Sequence, residues 1–572
     1  MIRAAALQPF SERRAALEAR FPTWEPRTLA EVFDAAVARF SDRPLVITDD
    51  VTYTYRAIQE WSERVAHGLV SAGVQPGEHV AIVLGNQPEF VAVKLGIARA
   101  GAVAVPINFL NRRDELGYVL EQSDAVALIT MDSFRGVDHL NSLDELIPGW
   151  EHTGGARLPK LRNIWVVQAE GSGRSGAATL ADLASSSDGW HPVDGFGPDS
   201  PLDILYTSGT TGTPKGVVLT HDMFMRTAYG SAYGRAFEDG RRISFSLPMY
   251  HVFGYVEGLL AVLFVGGAII PQLHFDPVAT LDSVVAHQAT DLLLVPIMTQ
   301  AVITAARSRD ANAWPLSALA SIMSSGGVSP SGIWEDILEV FGPVEVTSGY
   351  GMSETTASTT VTRMDDTIET WRTKNGRLRD VGVAGDPANG GRLCVYRVVD
   401  PATGLELPRG EIGELMVRGI GVTAGYYNKP EENDLAFDDD GWLRTGDLGT
   451  LDDDDYITLA GRRKECYRCG GEQVMPAEVE AVLTTHPAVA QAHVVPVLDE
   501  RMGEAGFAWV VPADGVAVDH DALIAHCAER LARFKVPKYV RTLNADHVPL
   551  TPSGRPRKFL LAERASEELG IA

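Results

Sequence analysis

Short, wholly apolar runs alternate with amphipathic stretches along most of the chain. HVAIVLGN at 79–86 reads as a strand, PEFVAVKLGIARAG at 88–101 as a helix, and VAVPINF at 103–109 and AVALIT at 125–130 as further strands. Asn86 and Pro88 suit a helix start and Gly101 a left-handed stop, so punctuation agrees with periodicity. The pattern resumes with LDILYTSGT at 202–210, RISFSLP at 242–248, DLLLVPI at 291–297, SIMSSGG at 321–327 and VEVTSGYG at 344–351. Strands without polar alternation predict sheets covered on both faces, which is an α/β arrangement. From about Gly385 the texture changes to strands separated by turn residues (GGRLCVYRVVD, GEIGELMVRG, DYITLAG), which predicts a smaller antiparallel or barrel-like section. After Gly461 a charged junction, GRRKE, precedes helices expected around 476–484 and 519–533 with a strand, AHVVPVL, between them. The expected organisation is a large N-terminal domain, 1–463, of helix-covered sheets plus the barrel-like section, followed by a small α+β domain, 464–572.

Composition narrows the function. The 572 residues carry 50 lysines and arginines against 75 acids, a net charge of −25, which argues against nucleic acid or an anionic membrane as partner through bulk charge. Any phosphate must be held locally. Four cysteines cannot build a disulfide framework, so a reducing, cytoplasmic setting is expected. Cys466 and Cys469 form a C-x-x-C with no second knuckle, which disfavours zinc. The longest uncharged stretch, Gly258 to Phe275, is cut by Gly266-Gly267 and Pro271, so no membrane span is expected.

Glycine, at 55 residues, is in excess, and its most informative cluster is YTSGTTGTPKG, Tyr206 to Gly216. Glycines allow backbone N–H groups to approach oxyanions, hydroxyls donate to phosphate, and Lys215 adds a point charge. A nucleotide P-loop is excluded, because counting from Gly209 puts Pro214 where its second glycine belongs. The segment resembles the phosphate signature of the acyl-adenylate-forming superfamily, which comprises acyl-CoA synthetases, peptide-synthetase adenylation domains and firefly-type luciferases. GYGMSET (Gly349 to Thr355), WLRTGDLG, GRRKE and PLTPSGRPRK (Pro549 to Lys558) follow in that family's order.

The resemblance implies two half-reactions: a carboxylate joins ATP to give acyl-AMP and pyrophosphate, then the C-terminal domain rotates about a hinge and coenzyme A displaces AMP. It assigns nucleotide binding to Thr207, Ser208, Gly209, Thr210, Thr211, Gly212, Lys215, Gly327, Gly349, Tyr350, Gly351, Met352, Ser353, Asp447 and Arg462. Tyr350 would stack on adenine, Asp447 would accept from the ribose hydroxyls, and Glu354 would hold Mg²⁺ on the phosphates. Lys464 falls at the hinge. PMYHVFG supplies an acyl pocket of Tyr250, His251, Phe253, Ser325, Gly326 and Met352, with His251 at its boundary with the pantetheine tunnel. Arg463, Gly470 and Gly471 fall where CoA would pass.

One position departs from the family. Most members carry lysine after T-x-S-G in the C-terminal loop, where it bridges carboxylate and α-phosphate, whereas here Gly554 is followed by Arg555. A planar guanidinium does not reproduce a compact ammonium at a crowded site. The expectation is therefore impaired adenylation with thioester formation retained, a separate ligase supplying the adenylate. This resembles the non-adenylating acyl-CoA synthetases of platensimycin and platencin biosynthesis, which makes a bulky terpenoid acid a candidate among hydrophobic carboxylic acids. A complete ATP-dependent acid–CoA ligase, a carrier-protein-loading enzyme, a luciferase-like oxidase and a non-catalytic adenylate binder are the alternatives.

Overall fold

The computed structural model describes residues 7–151, 155–185, 191–207, 213–308, 314–327, 329–330, 332–513, 515–551, 554 and 556–571. Two large sheets dominate the N-terminal part. The first has six strands in the spatial order Lys215–Thr220, Pro201–Thr207, Val103–Pro106, His79–Val83, Ala127–Met131 and Asn163–Val167, parallel except for the first pair. The second has seven, running Glu345–Thr347, Ser321–Ser324, Asp291–Leu294, Arg242–Phe245, Ala268–Pro271, Pro44–Ile47 and Thr52–Thr54, parallel except for the last pair.

The apolar runs predicted as strands are strands, and they are buried along their length as doubly covered sheets require. The helix Pro88–Arg99 lies so deep that every residue from Phe90 to Arg99 is buried. Its two cations are there because they are paired: Lys94 with the buried Asp203, and Arg99 with Asp34 and Ser62. Gly96 admits the neighbouring helix Tyr55–Ser71, since a Cβ there would stand 2.6 Å from Val65 Cγ1. The uncharged stretch 258–275 breaks as its glycines and proline predicted, into a π-helical turn Phe253–Leu260, a short turn and the buried strand Ala268–Pro271.

The expected barrel-like section is a four-stranded antiparallel meander, Cys394–Val399, Gly413–Gly419, Leu443–Leu451 and Ile457–Arg462. The C-terminal part is a five-stranded sheet with a core on each face. Val494, Ala508 and Val510 pack under the helices Pro476–Thr484 and His520–Ala528. The alternate residues Val495, Phe507 and Trp509 pack under Lys558–Leu569, where Trp509 Nε1 donates to Leu561 O at 3.0 Å. The second predicted helix stops at Ala528, short of 533, and the long strand Gly503–Pro512 was not predicted.

Candidate functional site

The glycine-rich loop joins two strands of one hairpin. Pro201–Thr207 leaves the sheet and Lys215–Thr220 returns antiparallel, with Lys215 opposite Thr207. Ser208, Gly209, Thr210, Thr211 and Gly212 lie outside the described residues. Lys215 therefore stands at the base of the loop, on the returning strand. Its ammonium lies 4.7 Å from the centre of the Tyr426 ring.

Tyr426 donates its hydroxyl to Glu354 Oε1 at 3.0 Å, and Thr423 N donates to the Glu354 carbonyl at 2.8 Å. Burial pushes the Glu354 carboxyl above its usual range, while Tyr426, Arg462 and Lys215 act in the opposite direction. Neither Tyr426 nor Thr423 was foreseen. GYYNKP carries an aromatic pair in a loop, and nothing local says which ring turns inward.

On the other side of this centre, Tyr350 donates to Asp447 Oδ2 at 2.7 Å, and Arg462 Nε pairs with Asp447 Oδ1 at 3.2 Å. Asp447 and Arg462 are direct register partners across two strands of the meander, which fixes their approach. Tyr350 is buried and its ring packs at 6.2 Å from Tyr396. Gly349 must be glycine, because a Cβ there would meet Thr360 O at 2.3 Å; at Gly351 it would meet Ala357 O at 1.8 Å. Ser325 Oγ accepts from Gly349 N and donates to its carbonyl, so it ties together the ends of two parallel strands. Met352 and Ser353 continue the same segment, Ser353 buried and Met352 half-buried.

The predicted acyl side lies along the loop after Arg242–Phe245. Asn86, just past strand His79–Val83, accepts from Met249 N at 2.9 Å and donates to Leu247 O at 2.9 Å, so a residue of the first sheet pins a loop of the second. Tyr250 packs edge-on to Phe109 at 5.2 Å, and burial pushes its phenol well up. His251 Nδ1 accepts from Phe253 N at 3.2 Å, which leaves Nε2 as the nitrogen that carries the ring proton in the neutral form. Gly326 adopts φ +91°, and a Cβ there would lie 3.7 Å from Phe253 and 3.5 Å from Val295. Gly327 lies beside Pro296. The π-helical turn behind Phe253 is anchored by the buried Glu257, which pairs with Arg379 at 3.1 Å and accepts from Ser231 at 2.5 Å.

Val295 also meets the C-terminal loop. Gly554, at φ +78°, sits so that a Cβ would stand 3.2 Å from Val295 Cγ2, and its N–H donates to Thr551 O at 2.8 Å. The residue before Arg555 is thus against the wall formed with Gly326, while Arg555 itself lies outside the described residues. Lys558 is fully engaged elsewhere, with Glu465 at 2.9 Å and Glu480 at 2.7 Å. The pKa of Lys464 is lowered, first by burial and then by the nearby charge of Lys215, so the junction residue feels the cation at the base of the glycine-rich loop.

Arg463 donates to Glu414 at 2.9 Å. Gly470 and Gly471, both at positive φ, form the two-residue turn of the hairpin Tyr467–Cys469 and Glu472–Val474. That turn alone accounts for two consecutive glycines. Cys469 lies in the first of these strands, and Cys466 Sγ donates to Arg462 O at 3.3 Å.

A parallel α/β body with polar groups converging at its strand ends, joined to a small α+β unit whose loop reaches the same wall, defines a two-part nucleotide-dependent enzyme. The chain belongs to the AMP-binding enzyme family: the family model matches residues 33–427, and that of the AMP-binding enzyme C-terminal domain matches 478–555. It is a ligase of the acyl-CoA synthetase type. The putative acyl-CoA synthetase YngI of Bacillus subtilis (strain 168) is 34% identical over 556 residues, covering 95% of this chain and 98% of that one. The 3-[(3aS,4S,7aS)-7a-methyl-1,5-dioxo-octahydro-1H-inden-4-yl]propanoyl:CoA ligase of Rhodococcus jostii (strain RHA1) is 32% identical over 552 residues, covering 95% and 99%. The crystal structure of ATP-bound MatB from Rhodopseudomonas palustris superposes with a TM-score of 0.81 at 27% identity, covering 94% of this chain and 99% of that one. Among the described residues no helix is long and apolar enough to cross a membrane.

Proposed function

We propose that the chain forms an acyl-CoA thioester from an acyl-adenylate and CoA, and that its own adenylation half-reaction is slow because Arg555 stands where the family carries lysine. The observation that carries this reading is the seating of Gly554, the residue before position 555, on Val295, beside the strand ends where Ser325, Gly326 and Phe253 meet. Two anions must approach one another in adenylation, so a misplaced cation there is costly. Loss of one preorganised contact of this kind lowers rate by about 10²–10³. Thioester formation does not need that loop in the site.

In this reading Asp447 accepts from the ribose, with Arg462 beside it, and Tyr350 faces the adenine. Lys215 and the glycine-rich loop hold the phosphates. Glu354 fits a magnesium ion, being a single buried carboxylate close to a phosphate-binding lysine; Mg²⁺ takes one or two carboxylates and completes its shell with water and phosphate oxygens. Bound there, the ion would neutralise phosphate charge. Arg463, Gly470 and Gly471 lie on the CoA side and Lys464 serves as hinge.

The acid is hydrophobic and bulky, a terpenoid acid being one such class. The polycyclic acyl group named for the Rhodococcus jostii relative and the apolar wall of Phe109, Tyr250 and Phe253 support this. A cytoplasmic setting accords with four unpaired cysteines. A distinct ligase would supply the adenylate.

The test is ATP–pyrophosphate exchange with candidate acids, for the wild type and Arg555→Lys. Weak exchange that rises at least tenfold in the lysine variant is expected. Robust exchange in the wild type would overturn the impairment and leave a complete ATP-dependent acid–CoA ligase.

A further inference from the structure

Tyr426 touches two groups of opposite charge with two different parts of one side chain. Its hydroxyl donates to Glu354 Oε1 at 3.0 Å, while the face of its ring lies 4.7 Å from Lys215 Nζ. Among the described residues no ion pair joins Lys215 to Glu354, although both touch the same side chain and Lys215 lies within the field of the carboxylate.

The backbone around Tyr426 is held on every side. Its N–H donates to Asn433 Oδ1 at 2.7 Å and its carbonyl accepts from Asn433 Nδ2 at 3.1 Å. Tyr427 N donates to Gly216 O at 2.8 Å, Val218 N to Gly425 O at 3.1 Å, and Thr423 Oγ1 to Val218 O at 2.6 Å. The segment is therefore sewn to the returning strand of the phosphate hairpin, Lys215–Thr220, and the ring has little freedom. A hydrogen bond to a carboxylate fixes its direction, and an ammonium over an aromatic face keeps most of its charge available to a third party. A direct Lys215–Glu354 ion pair would cancel both charges before any ligand arrived.

We propose that Tyr426 is a positioning residue: its hydroxyl aims Glu354 at a divalent cation on nucleotide phosphates, and its ring keeps Lys215 from collapsing onto that carboxylate. This rests on the roles given to Glu354 and Lys215 above. The test is calorimetric titration of the full chain with ATP in the presence and absence of MgCl₂, and with AMP.

Tyr426→Phe keeps the ring and removes one oxygen. It should lower the Mg²⁺-dependent gain in ATP affinity about tenfold, as expected for a lost charged hydrogen bond, and leave AMP and metal-free ATP affinity within twofold. Tyr426→Leu should in addition weaken metal-free ATP several-fold; if it fails to fold, the phenylalanine variant decides alone. An equal loss for all three titrations in Tyr426→Phe means a merely structural role and overturns the proposal, as does an unchanged Mg²⁺-dependent gain. Failure of the wild type to bind either nucleotide would instead overturn the underlying ligase reading.

Discussion

The two units of the molecule hold their buried charges differently. In the body, Lys94 and Asp203 meet across a helix and a central strand with essentially no exposure, and their pairing serves the core alone. In the C-terminal unit, Lys558 lies at the start of the last helix, three residues beyond Arg555, and bridges Glu465 beside the interdomain junction and Glu480 on the helix Pro476–Thr484. The first pair lies wholly within the body's core. The second ties the start of the last helix to Glu465, beside the point where the chain crosses between units, and to the helix Pro476–Thr484. A buried ion pair is weak evidence for stability in general, yet breaking one partner is costly.

The sharpest way to break this contrast is Lys94→Met, which leaves Asp203 charged and unpaired in the core and should cost about 3–5 kcal/mol, read as a lower unfolding midpoint of the body. Lys94→Met with Asp203→Leu should recover most of the loss. Lys558→Met should be milder, about 1–3 kcal/mol because its surroundings are partly open, and confined to the C-terminal unit. Hydrogen exchange should rise in the helix Lys558–Leu569 and not in the helix Pro88–Arg99.

Acid should act on both units through neutral buried histidines. Burial lowers His139 to about 4 and His221 to about 3 in the body, and lowers His493 to about 4 beside Lys558 in the C-terminal unit. Each depressed imidazole binds its proton later in the folded than in the unfolded chain. Stability is therefore full above the ordinary histidine value of 6.5 and falls as pH drops from there towards 4 and 3. Thermal melts between pH 7.5 and 4.5 should show this decline. His493→Gln should flatten it for the C-terminal unit only.

Much of the body was legible in the chain because fully buried strands leave uninterrupted apolar runs: 79–83, 103–106, 242–245 and 291–294 all lie inside predicted segments. The C-terminal strand Gly503–Pro512 escaped, since GEAGFAWVVP opens with two glycines and an acid before its apolar half. Motif residues Lys215, Tyr350, Glu354, Asp447 and Arg462 do converge. Tyr426, which touches both Glu354 and Lys215, and the role of Asn86 in pinning the loop at Leu247 and Met249 were invisible because each acts on a residue at least 70 positions away, through contacts that no local spacing encodes.

The central claim is that this two-part site transfers an acyl group from adenylate to thiol. Supplying a synthetic acyl-AMP of a bulky hydrophobic acid with CoA, and without ATP, tests it most directly. The account predicts one equivalent of AMP released for each acyl-CoA formed, at similar rates in the wild type and Arg555→Lys. Hydrolysis of the adenylate without thioester, or no turnover in either protein, would contradict it.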